Sequence, residues 1–167
     1  MRPAPDEILQ RLQHLQAGLQ RAGVKLTAQR VAICRALAGS DAHPDAETVY
    51  RAVRGHLPTL SRDTVYRTLA RLVALGLITR LGAAPGRMRF DGAVRAHHHF
   101  CCVRCGAIAD VACEALAQGA VPAAVHACGQ VQTVQVTVYG LCRRCGRETA
   151  AGRPETRFVG SVARGGG

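Results

Sequence analysis

Residues 61–90 run SRDTVYRTLARLVALGLITRLGAAPGRMRF, and the architecture of the chain turns on how they are parsed. Ser61 offers a hydroxyl to cap a helix, and Gly76 can stop it. Between them Val65, Leu69, Leu72 and Leu75 fall at i, i+4, i+7 and i+10, one apolar stripe of an α-helix. The opposite face carries Arg62, Tyr66, Arg67 and Arg71. LITRL then alternates like a short strand, GAAPG makes a loop tip, and RMRF returns as its partner. A basic helix followed by a basic hairpin is the end of a winged helix-turn-helix, in which that helix enters the major groove and the wing touches the backbone. A basic helix face alone is usually only solvated. Here the tyrosine among arginines, the wing behind it and the charge of the whole chain point together to double-stranded DNA.

Working upstream, residues 6–21 place Ile8, Leu9, Leu12, Leu15 and Leu19 at helical spacing, with Asp6 as the expected N-cap and Gly23 as the stop. Thr27 caps a second helix over 28–38, with Val31, Ile33, Cys34 and Leu37 inward and Gly39 at its end. Asp45 caps a third, with Val49, Ala52 and Val53 toward the core and Pro58 closing it. Residues 1–90 therefore make a winged-helix DNA-binding domain, and the small, flexible stretch DGAVRA (91–96) a hinge.

Downstream, 87–105 reads RMRFDGAVRAHHHFCCVRC: three histidines, an Asp and Cys102-x-x-Cys105 within nineteen residues. A second pair, Cys142-x-x-Cys145, lies about forty residues on, and each pair is followed by Gly. Two such knuckles, with glycine letting the backbone turn, supply the closed four-thiolate shell that structural zinc prefers. Imidazole with carboxylate is a different donor set, suited to Fe²⁺, Mn²⁺, Zn²⁺ or Ni²⁺ in an open site. Alternation puts His97 and His99 on one face of an extended segment and His98 on the other. IADVA after the first knuckle reads as a strand, and 113–127 is at best weakly helical because Gly119 and Pro122 interrupt it. QVQTVQVTVYGLC alternates over nine residues, with Val134, Val136 and Val138 on one face. So small a sheet cannot bury both faces alone, which points to a homodimer formed through residues 97–148. The overall class is α+β: a winged helix followed by a small α/β dimerisation domain stapled by a Cys₄ zinc. Residues 149–167, rich in Gly and Arg without a period, are expected to be a disordered basic tail.

Composition supports this division. Of 167 residues 48% are hydrophobic but only 4% aromatic, with no Trp, so the core must be Leu, Val and Ala. A net charge of +11 and a pI near 10.1 favour a polyanionic partner. The N-terminus lacks the apolar run of a signal peptide, and no run reaches transmembrane length, so a cytoplasmic protein without a membrane partner is expected. In that compartment metal is a better account than disulfides of at least four of the eight cysteines. Cys34 is a small core residue. Cys101, Cys113 and Cys128 are packing residues, with a thiol redox route as the alternative.

The pieces LTAQR, HPDAETVYRAV, SRDTVYRTLARLVALGLI, RFD, HHHFCCVRCG and YGLCRRCG stand in an order and spacing that resemble the ferric uptake regulator (Fur) superfamily over about residues 10–148. The resemblance implies a dimeric, metal-dependent transcriptional repressor that binds an operator and takes no small organic substrate. It implies structural Zn²⁺ at Cys102, Cys105, Cys142 and Cys145, and a regulatory Fe²⁺ or Mn²⁺ held by His43, Asp91, His97, His99 and Asp110. Asp at 91 and 110, where iron-uptake repressors typically carry Glu, leans toward the peroxide-responsive branch, with His43 and His97 as the oxidisable ligands. The alternative within the family is an iron-responsive repressor of uptake genes without peroxide chemistry. No cysteine falls in the regulatory set, which argues against a zinc sensor. The family's additional metal site meets Val134 and Ala96 here, so a third site is not expected. His14, His56, His98 and His126 are read as bystanders. A metal hydrolase using His97, His99 and Asp91 lacks a placed general base. A bare zinc-ribbon module would leave the histidines and the basic helix unexplained.

Overall fold

The computed structural model describes residues 3–82, 88–94, 97–112, 121–131 and 134–150. The loop tip at 83–86, the end of the hinge, Cys113 with the rest of 113–120, and the tail beyond 150 lie outside the described residues.

Four helices come first: α1 (Pro5–Arg21), α2 (Ala28–Ala38), α3 (Ala46–Arg54) and α4 (Arg62–Ala74). Three of them begin at the expected caps. Thr27 accepts from the Arg30 amide at 3.3 Å, Asp45 from that of Thr48 at 2.7 Å, and Ser61 from that of Thr64 at 3.1 Å. The bond to Thr48, with Arg89 and Arg51 nearby, also holds the Asp45 carboxyl below its usual range. The first helix departs from expectation. Pro5, whose missing N–H costs nothing at a helix start, opens α1 two residues before the first position that an Asp6 cap would allow, after an Ala4 N-cap that makes no side-chain bond. Asp6 is therefore inside the first turn, where its charge meets the positive end of the helix dipole.

The stripes converge on one core of Leu15, Leu19, Ile33, Cys34, Leu37, Val49, Val53, Leu60, Val65, Leu69, Leu72, Ile78 and Phe90. Gly18 lets α1 approach the chain after α4, because a Cβ there would fall 2.2 Å from Leu77 Cδ2. Two inward assignments change. Ala52 is exposed, and Tyr50, adjacent to Val49 on the helix arc, takes the core position instead. Leu9 lies outside the buried arc of α1 and is 53% exposed.

The wing is β1 (Thr79–Leu81) antiparallel to β2 (Arg89–Asp91), pairing Thr79 with Asp91 and Leu81 with Arg89. Asp91, expected on the hinge, is thus the last residue of the wing. Beyond it a three-stranded sheet has the order β4-β3-β5, from β3 (His98–Cys102), β4 (Ile108–Val111) and β5 (Thr137–Gly140). Strand β4 runs antiparallel to β3, with His99 opposite Asp110; β5 runs parallel, with His99 opposite Thr137. The nine-residue alternation yields only four strand residues. Val136 still accepts from the His99 amide at 3.0 Å, but its own N–H donates to His98 Nδ1 at 3.2 Å, which takes that amide out of the ladder. The short α5 (Ala123–His126) precedes β5.

The chain does not become irregular at Gly146. It forms α6 (Arg143–Ala150), so residues 149 and 150, expected in the tail, are helical. The Gly146 amide bonds Cys142 O at 2.8 Å, and Arg104 Nη1 donates to Cys145 O and Thr149 Oγ1 at 3.1 and 3.2 Å, tying this helix to the first knuckle.

Candidate functional site

Four sulfurs gather where β3 and β5 end. One Sγ from each of Cys102, Cys105, Cys142 and Cys145 lies within 4.8 Å of every other, and Cys105 and Cys142 are 3.8 Å apart. Cys102 is the last residue of β3, and Gly106 turns the chain behind the first pair at φ +70°. The second pair is built differently, because Cys145 and Gly146 are already inside α6. The Cys142 amide donates to Cys102 Sγ at 3.3 Å, crossing between the two pairs. Burial opposes ionisation of Cys102, yet the amides of Cys105, Cys142 and Arg104 together bring its pKa down to about 6. Burial and the neighbouring thiols push Cys145 up to about 12. Arg144, inside the second pair, is stabilised in its charged form by the Cys105 sulfur. Arg104 and Arg144 were not singled out from the sequence, although both lie between paired cysteines.

The second cluster draws on four segments. His43 comes from the loop before α3, Asp91 from the end of β2, His97 from just before β3, His99 from within it, and Asp110 from β4. One ligand atom from each of His43, Asp91, His97 and His99 lies within 4.8 Å of the other three. His97 Nε2 is 3.3 Å and His99 Nε2 3.5 Å from Asp91 Oδ2. Asp110 Oδ1 approaches the same face, 3.0 Å from His43 Nε2, 3.6 Å from His97 and 3.8 Å from His99. Ligand atoms roughly 3–4 Å apart are what bonds of about 2.1 Å to one shared ion require. The β3–β4 register delivers Asp110 directly across from His99, and the wing delivers Asp91.

His99 tests whether a cation fits. It is fully buried, and neither ring nitrogen has a hydrogen-bond partner. Burial first, then the His97 and His43 rings, lower its pKa, so it stays neutral and keeps a lone pair to give. A neutral, buried nitrogen facing two carboxylates is satisfied by a positive ion between them. Backbone conformation adds to this, since His43 is the one described non-glycine residue at positive φ, +45°. Such backbone costs of order 1 kcal/mol and persists where the surroundings impose it. His98 is buried away from the cluster on Val136, a satisfied core histidine; His56 and His126 are exposed.

On the far side of the winged helix, α4 exposes Arg62, Tyr66, Arg67 and Arg71, with Tyr66 55% accessible. Arg67 pairs with Asp63 at 2.6 Å. Arg62 makes two 3.0 Å bonds to Glu47 and lies 4.5 Å over the Tyr50 ring, so it braces α4 against α3. A cleft of about 380 Å³ beside them is lined by Thr27, Arg30, Thr64, Arg67 and Arg71, which adds Arg30 to the basic face. Among the described residues no helix is long and apolar enough to cross a membrane.

This geometry can be set beside known proteins. The peroxide operon regulator of Bacillus subtilis is 34% identical over 131 residues, covering 78% of this chain and 90% of that protein. The peroxide-responsive repressor PerR of Staphylococcus epidermidis is 33% identical over 132 residues, covering 79% and 88%. The structure of the ferric uptake regulator from Pseudomonas aeruginosa with manganese superposes with a TM-score of 0.64 at 27% identity, covering 77% of this chain and 97% of that one. The pattern of the Ferric uptake regulator family matches residues 21–139, which include the basic helix, the wing, the histidine cluster and the first cysteine pair. The chain belongs to the ferric uptake regulator family.

Proposed function

We propose that the protein is a cytoplasmic, homodimeric, metal-dependent transcriptional repressor whose His/Asp centre, when it holds Fe²⁺, makes operator binding sensitive to peroxide. The carrying observation is where the ligands come from. His43 and Asp91 belong to the winged-helix unit, and His97, His99 and Asp110 to the sheet beyond it. An ion bound by all five favours one placement of the two units, and so one spacing of the recognition helices in a dimer, through its differential affinity. In this reading the chain up to Asp91 at the end of the wing binds DNA, residues 92–96 connect, and the sheet beyond dimerises. Val138, Tyr139 and Leu141, each more than 40% exposed, leave apolar side chains uncovered on and just after β5, through which the small sheet would pair. The cysteine cluster is the structural zinc site.

The peroxide reading rests on the chemistry of the donors and on the names of the relatives. An all-N,O set without thiolate leaves Fe²⁺ able to react with peroxide, and His43 and His97 are the groups expected to gain oxygen. The deciding experiment compares operator binding by the zinc-loaded protein with Fe²⁺ or Mn²⁺, before and after a low dose of peroxide, with mass spectrometry of the His43 and His97 peptides. Release of DNA by the iron form alone, with an added oxygen on one of those peptides, is the expected result. Equal retention by both forms would leave an iron- or manganese-responsive repressor without peroxide chemistry.

Tyr66, Arg67 and Arg71 are proposed to touch DNA, with Arg62 on the same face holding the helix in place. The Arg67–Asp63 pair is exposed on both sides, so its loss costs the protein little. Arg67→Ala is therefore expected to weaken operator binding by about 5- to 150-fold while zinc content and melting temperature stay the same. Unchanged affinity would remove Arg67 from the interface.

A further inference from the structure

Arg89 lies in the wing strand β2, two residues before the ligand Asp91. Its Nη1 reaches back to the loop before α3 and donates to His43 O at 3.2 Å and Ala42 O at 3.5 Å. The adjacent strand residue adds a main-chain bond, Phe90 N to Pro44 O at 3.0 Å. On the other side of the loop the buried Arg11 of α1 pairs with Asp41 at 2.9 Å and bonds Ser40 O at 3.5 Å. The loop is thus held from both sides around the residue whose backbone is left-handed.

We infer that Arg89 is a positioning residue for the regulatory metal: its guanidinium fixes the His43 carbonyl and thereby keeps the His43 imidazole aimed at Asp91, Asp110, His97 and His99. This rests on the reading of His43 as a ligand. A histidine at φ +45° gains by relaxing toward ordinary backbone, and a rotation about that bond would swing its ring off the cluster. The bond to its carbonyl opposes that relaxation. Because β2 supplies both this clamp and the Asp91 carboxylate, one short strand sets two of the five ligands. The wing and the metal are then coupled in both directions, so a wing held on DNA should tighten the site as much as the ion steadies the wing.

The test is a double-mutant cycle in Mn²⁺ affinity on the zinc-loaded, full-length protein, using Arg89→Met and His43→Ala. Methionine keeps the apolar stem and removes the donor. Arg89→Met should weaken Mn²⁺ binding by about 10- to 100-fold, the usual cost of removing an outer partner of a ligand. In the His43→Ala background the same substitution should change affinity less than about threefold, since there is no ligand left to aim. The Mn²⁺ electron paramagnetic resonance spectrum of Arg89→Met should match that of His43→Ala. A merely structural role would lower affinity equally in both backgrounds, and that result overturns the inference. If His43→Ala weakens binding and Arg89→Met does not, the clamp alone is wrong. If His43→Ala leaves affinity unchanged, the ligand set is wrong and the inference falls with it.

Discussion

Cys102→Ser is expected to empty the cysteine cluster of zinc and to unravel the sheet it closes, while the winged helix survives. Structural zinc contributes roughly 10–16 kcal/mol to the folding of small zinc domains, as much as a whole domain usually has to lose. Apart from the cysteines, β3 is held to β5 by a short parallel ladder and a few flanking bonds. The two strands share four paired positions, His99 with Thr137 to Cys102 with Gly140, and Val138 and Tyr139 on β5 are half exposed. Cys102 also receives the Cys142 amide, so serine removes a ligand and weakens the link between the two knuckles together. Helices α1 to α4 have their own core, to which no residue of β3, β4 or β5 belongs. Hydrogen exchange should therefore show protection lost in β3 and β5 and kept in α1–α4, with zinc absent by elemental analysis. A zinc-free variant with a protected β3 would sink the assignment. Acid should act in the same direction. Without metal, the Cys102 pKa of about 6 lies below its ordinary 9.0, so the stability its thiolate contributes is complete above about 9 and is lost as pH falls through 6. Cys145, pushed to about 12, behaves oppositely: the stability from its protonated form is present below 9 and is lost as pH climbs toward 12. Zinc needs thiolates at both, so its binding should release protons at neutral pH, and acidification should weaken it.

The elements legible in the sequence are those set by local rules. Thr27, Asp45 and Ser61 each cap the helix that follows, and Val65, Leu69 and Leu72 are buried at the expected spacing. The wing and each Cys-x-x-Cys pair follow from equally short-range signals. Misjudged positions depended on neighbours that sequence does not name. Asp6 lost its cap to the preceding proline, Val136 lost its ladder amide to a histidine ring, and residues 143–150 gained a helix tied down by Arg104. The histidine–aspartate cluster is a different case. Nothing periodic relates His43 to Asp110. They meet because β4 registers Asp110 against His99 and because the wing returns to the loop before α3. Only the family resemblance linked those positions in advance, and it did not reveal Arg89, whose role lies in a carbonyl contact 46 residues away in sequence.

His99→Leu separates the two things that buried histidine does. Its ring is fully enclosed, with neither nitrogen hydrogen-bonded to another protein group, and a buried polar atom left without a partner costs about 1–3 kcal/mol. Leucine occupies a similar volume without polar atoms. Asp91, which loses the ring, keeps the Ala93 amide at 3.0 Å and His97 at 3.3 Å. The metal-free variant should therefore melt higher than the parent by several degrees, at about 2–4 °C per kcal/mol for a protein of this size. The metal reverses the order. Mn²⁺ at about one hundred times its dissociation constant stabilises the parent by roughly 2.7 kcal/mol, and it should do little for a variant lacking a central ligand. Operator binding should fall to its metal-free level at every Mn²⁺ concentration tested. Paired melting curves with and without Mn²⁺ check this directly. A variant that is less stable than the parent without metal, or that gains as much from Mn²⁺, would mean that His99 is held by packing and not kept for an ion. Crossing of the two curves would mean that the fold carries a destabilising side chain in its interior for the sake of the signal it receives.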